Sequence, residues 1–97
     1  MTDEPLSLVC RPAPQGFVCD VIVGIDADAT RHSVTVSRDT LARFAPGHYD
    51  PDDLVRASFE YLLVREPRES ILPSFELPVI ERYFPGYESE IRRRLRR

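Results

Sequence analysis

Apolar residues recur at every second position through the first third of the chain. From 17 to 25 the odd positions Phe17, Cys19, Val21, Val23 and Ile25 are all apolar, while the even ones mix Asp20 and Gly24 with Val18 and Ile22. A strand sends alternate side chains to opposite faces, so this run reads as a strand with one buried face and one partly covered face. His32, Val34 and Val36 then alternate with Ser33, Thr35 and Ser37, the pattern of a half-buried strand. The polar link 26–30 between the two is so short that they pair as an antiparallel hairpin. Upstream, residues 6–10 form a short apolar stretch. The sequence Arg11-Pro12-Ala13-Pro14-Gln15-Gly16, with two prolines and a glycine, is predicted to end it.

The period changes after Ser37, which is placed to cap a helix: Asp39 follows in the first turn, then Leu41, Ala42, Phe44 and Ala45, until Pro46-Gly47 stops it. Asp50 is predicted to cap the next helix, with Pro51 at its first position. Leu54, Val55, Phe59, Leu62 and Leu63 fall at helical spacing, so 52–65 is predicted helical, ended by Pro67. Pro67, Pro73, Pro78 and Pro85 forbid a long helix beyond that point. The prediction there is a helical turn at 68–72, a short helix at 77–84, and a type II turn at Phe84-Pro85-Gly86-Tyr87. An amphipathic segment, 88–97, ends the chain. Strands first and helices after argue for an α+β fold: a small antiparallel sheet, a hairpin plus a possible N-terminal strand, with three to four short helices on one face.

Length sets a tight bound. Ninety-seven residues read as one domain, 1–97, carrying a basic C-terminal helical tail at 88–97. Self-association is an economical way for so small a domain to bury more apolar surface. All thirteen basic residues are arginine, with no lysine and no asparagine. A GC-rich coding sequence accounts for both absences, and the chain has no lysine for Schiff-base or nucleophilic chemistry. The net charge of −3 hides an asymmetry, since setting aside the five arginines among the last six residues leaves −8. An acidic body of that kind does not suit duplex DNA. No apolar run approaches transmembrane length, and the acidic start lacks a signal-peptide pattern, so the expectation is a cytoplasmic protein with no membrane contact. In that compartment Cys10 and Cys19 are expected as reduced, buried hydrophobes.

One motif touches known chemistry. Val21-Ile22-Val23-Gly24-Ile25-Asp26-Ala27-Asp28-Ala29-Thr30 resembles the first motif of the haloacid dehalogenase superfamily, a hydrophobic strand followed by Asp-x-Asp-x-Thr. The resemblance implies a nucleophilic Asp26 and an acid/base Asp28, but it covers only these ten residues. The family's parallel sheet, downstream lysine and late acidic pair have no counterpart here, and a polar link between antiparallel strands explains the same letters. As a calcium loop the stretch fails, with Arg31 and Ser37 where glycine and glutamate belong. His32 and His48 are not at metal-ligand spacing from each other or from a cysteine, and His32 lies on the apolar face of its strand. No catalytic residue, metal site or cofactor is therefore assigned.

Two regions remain as contact candidates. The proline-punctuated run 70–87 is rich in aromatics. Its Arg82, Tyr83, Phe84 and Tyr87 are the expected partner-binding residues, because tyrosine and arginine combine large contact area with a polar end. The tail arginines Arg92, Arg93, Arg94, Arg96 and Arg97 are the candidate contacts for nucleic acid or another anion, although no aromatic is interleaved for base stacking. The sequence thus favours an accessory or regulatory protein that binds another protein, as a homodimer. The alternatives are a small enzyme completed at a subunit interface by Asp20, Asp26, Asp28, His32 or tyrosines, and nucleic-acid association through the tail.

Overall fold

The computed structural model describes residues 4–96. Three eight-residue strands open the chain: β1 (Leu6–Ala13), β2 (Gly16–Val23) and β3 (Thr30–Ser37). They form an antiparallel meander, with Cys10 opposite Cys19 and Cys19 opposite Val34. Helices α1 (Arg38–Phe44) and α2 (Asp52–Arg65) follow, then strand β4 (Ser74–Glu76) and helices α3 (Val79–Tyr83) and α4 (Tyr87–Arg94). The sheet order is β1-β2-β3-β4, and β4 runs parallel to β3. The α+β class holds, but the sheet is mixed. Parallel pairing needs a crossover, and α1 and α2 supply it.

Alternation decides what the helices cover. Cys19, Val21, Val23, Val34 and Val36 are fully buried on one side of the sheet. They pack with Phe44, Leu54, Val55, Phe59, Leu77, Tyr87 and Ile91 from the helical half in one cluster. The other face carries exposed Val9, Asp20, Arg31 and Thr35, with Arg11 paired to Asp20 at 2.5 Å. Tyr87 donates its hydroxyl to Ser58 Oγ at 2.5 Å, because Ser58 Oγ already donates to the Leu54 carbonyl at 2.7 Å. Burial pushes the Tyr87 phenol well above its ordinary pKa.

Several expected boundaries move, each for a local reason. β1 does not end at Cys10 but runs on through Pro12, which an edge strand tolerates on its unpaired side. Ser37 caps α1 as expected, its Oγ accepting from the Thr40 N–H at 3.1 Å. At α2 the cap position belongs to Pro51, and Asp50 Oδ1 instead accepts from the Asp52 N–H at 3.3 Å. Gly86 adopts φ 101° in the expected type II turn, and the Tyr87 N–H closes it on the Phe84 carbonyl at 3.0 Å. Cys10 and Cys19 are not free thiols: they form a disulfide across β1 and β2. Sequence spacing alone could not pair them, since pairing depends on the register of the two strands.

Candidate functional site

A cavity of about 320 Å³ opens between the C-terminal half of α2, the segment around Ile71 and Leu72, and α3. Leu62, Ile71 and Ile80 form its buried base. Phe75, Val79 and Phe84 complete the apolar wall, while Leu72 and Tyr83, 43% and 66% exposed, stand at the rim. Glu66 is the one charged residue in the lining. Its carboxylate has no hydrogen-bond or ion-pair partner among the described residues, and burial raises its pKa.

The site exists because long-range bonds hold the proline-punctuated chain against β3. His32 is buried, and both its ring nitrogens are engaged. A carbonyl only accepts, so Nδ1 carries a proton and donates to the Leu72 carbonyl at 2.8 Å. Nε2 lies 2.9 Å from Thr30 Oγ1. The Ser33 N–H donates to the Pro73 carbonyl at 2.8 Å, and the Leu77 N–H donates to the Thr35 carbonyl at 3.0 Å. Behind this wall His32 packs on Phe59, and Phe59 on Phe75. On the other side Tyr61 braces Phe84 edge-on, with ring centroids 6.2 Å apart.

Glu81 fixes the floor of α3 to α4. Its carboxylate accepts from the Glu88 N–H at 2.8 Å and the Gly86 N–H at 3.0 Å, acting as a remote cap for α4. Those two backbone bonds lower the Glu81 pKa, the Glu88 bond first. Arg68 closes the far end, donating to Glu4 at 2.6 Å. Its guanidinium lies so close to Gly24 that a Cβ there would meet Nη1 at 2.4 Å.

The expected contact residues separate. Tyr83 and Phe84 line the cavity, and Arg82 is exposed beside it. Tyr87 does not join them: it is fully buried, because the type II turn folds it under α2 and its hydroxyl needs Ser58. The tail arginines are matched within α4, Arg92 with Glu88 at 3.4 Å, Arg94 with Glu90 at 3.0 Å, and Arg93 with Glu90. Arg96 is exposed, and Arg97 lies outside the described residues. Nor do the acidic and imidazole groups converge. Asp20 sits on the open sheet face, Asp26 and Asp28 in an exposed 3₁₀ turn, and His32 inside. Among the described residues no group of three or more His, Cys, Asp or Glu is arranged to hold a metal, and no helix is long and apolar enough to cross a membrane.

Sequence reasoning missed Glu66, Leu72 and Val79. Glu66 carried one readable signal: it follows Leu62 by four residues, so it continues the apolar face of α2. No family model, curated protein or solved structure matches this chain.

Proposed function

We propose that this protein is a binding module that seats an apolar side chain of a protein partner in the cavity between α2 and α3, with a basic residue beside that anchor meeting Glu66. The carrying observation is an apolar cavity of about 320 Å³ whose single carboxylate has no partner among the described residues. That volume is at the low end for ligand pockets and suits one or two large side chains. Partial burial disfavours the charged form of this carboxylate, and an incoming guanidinium or ammonium offsets that cost. Tyr83 and Leu72 at the rim are suited to close around the anchor.

The test is selection of a random displayed peptide library on the immobilised protein. The reading expects a consensus of one large apolar residue with Arg or Lys nearby, and binding weakened at least about tenfold by Leu72→Glu or Tyr83→Ala. Glu66→Gln should weaken only peptides that carry the basic residue. Because burial raises the Glu66 pKa, acidification neutralises it early and weakens those same peptides. Selected peptides that ignore all three variants would refute the reading.

The expected cytoplasmic setting conflicts with one feature. Cytosolic thiol systems keep cysteines reduced, whereas the Cys10–Cys19 bond supports an oxidising setting. Intact mass before and after reduction distinguishes the two forms.

A further inference from the structure

We infer that β1 is the dimerisation edge of this protein, pairing antiparallel with β1 of a second copy about a two-fold axis at Leu8 to give one continuous sheet. This inference concerns a different surface from the cavity and does not depend on it.

β1 is an outer strand of the sheet, so among the described residues one of its two backbone edges has no strand beside it. Which residues present that edge follows from the ladder. The Gly24 N–H donates to the Pro5 carbonyl, so Pro5 faces β2. In an antiparallel pair the facing direction alternates, so Ser7, Val9, Arg11 and Ala13 also face β2, while Leu6, Leu8, Cys10 and Pro12 face away. Two independent features agree. The Arg56 Nη1 reaches the outward Leu6 carbonyl at 3.2 Å. Cys10 and Cys19 have Cα atoms only 4.0 Å apart, a close pair of the kind that exchanges no backbone bonds.

The symmetric register centred on Leu8 uses all three outward residues of β1 that have an N–H and asks for none from Pro12. It sets Leu8 against Leu8 of the second copy and Leu6 against Cys10. Shifting it by one pairing step toward the C-terminus would require an N–H from Pro12, which has none. On the helix side, half-buried Leu6 and Leu8 would gain apolar cover from their symmetry mates. On the open side, Val9, 70% exposed, would sit opposite Ser7. On α2, Asp52 precedes Arg56 by one helical turn, so the helix face that meets the Leu6 carbonyl carries both signs of charge and is self-complementary across a two-fold axis. Edges are normally blunted by charge, proline, a bulge or a covering element; Pro12 blunts the C-terminal end of this one, and between Leu6 and Cys10 the side-chain bond to it among the described residues is that of Arg56 at the Leu6 carbonyl.

Sedimentation equilibrium on the full chain tests the inference. The wild type is expected at twice the 11.1 kDa chain mass at about 0.1 mM and above. Leu8→Pro removes an outward N–H without touching the β1–β2 ladder, so it should be folded by circular dichroism and monomeric. In case that variant unfolds, two double variants carry the test on open-face positions. Ser7→Lys with Val9→Lys opposes like charges across the axis and should raise the dimer dissociation constant at least about tenfold. Ser7→Lys with Val9→Glu opposes unlike charges and should keep the dimer. A monomeric wild type overturns the inference, including one whose β1 edge accepts only a foreign extended peptide. So does a dimer indifferent to which of the two double variants is made.

Discussion

The β1–β3 meander and the run from Pro67 to Tyr87 satisfy their backbones in different ways. The meander does so internally: each strand bonds to the next, and side-chain alternation alone decides which face goes inward. The later run carries four prolines and a strand of three residues, and it borrows its partners. His32 holds Leu72, Ser33 holds Pro73, Thr35 holds Leu77, and Glu81 holds the turn at Gly86. A self-paired region makes a scaffold, whereas a region latched at isolated points leaves gaps between its latches. The cavity is such a gap.

That contrast can be broken most severely at the aromatic joining both halves. Tyr87→Ala empties a fully buried site and should cost about 3–5 kcal/mol in chemical denaturation, while Tyr87→Phe loses only the Ser58 bond, about 1 kcal/mol. Next, the meander has a covalent staple that the later run lacks. Cys10 and Cys19 are nine residues apart, so reduction, or serine at both positions, should cost about 2–3 kcal/mol by loop closure. A smaller global loss is expected for His32→Gln, on the order of 1–2 kcal/mol, because one buried hydrogen bond and a ring contact go. Its local effect should be larger: amide exchange at Ser33 and Leu77 should accelerate while Val21 and Val34 stay protected. Uniform acceleration would mean that the latch is not local.

The smallest effect is a pH dependence. The folded Glu81 pKa lies below its unfolded value, so its contribution to stability is present above the unfolded pKa and disappears as pH falls through the folded one. Wild type should therefore lose stability relative to Glu81→Gln on acidification below about pH 4.5. Parallel curves would show that the carboxylate does not cap α4.

How much the sequence revealed follows the same divide. Strands β2 and β3, the Ser37 cap, helix α2 and the Gly86 turn were legible because each signal is local: period, capping residue, or turn dipeptide. β4 was not, because Ser74-Phe75-Glu76 is a strand only by virtue of β3 beside it. The disulfide needed the β1–β2 register, and Tyr83 and Tyr87 look alike until the turn at Pro85-Gly86 sends one outward and the other into the core. Tyr83 and Phe84, expected as contact residues from composition, line the cavity, whereas Glu66 and Leu72 become neighbours only after α2 and the later run have folded together.

The central claim is that the gap between α2 and α3 is the binding surface. Methyl chemical-shift mapping tests it most directly, titrating the protein with a short peptide that carries one aromatic residue next to an arginine. The account predicts the largest shifts at Leu62, Leu72, Val79 and Ile80, reduced by Glu66→Gln. Shifts centred instead on Val9, Val18 and Ile22 of the open sheet face would contradict it.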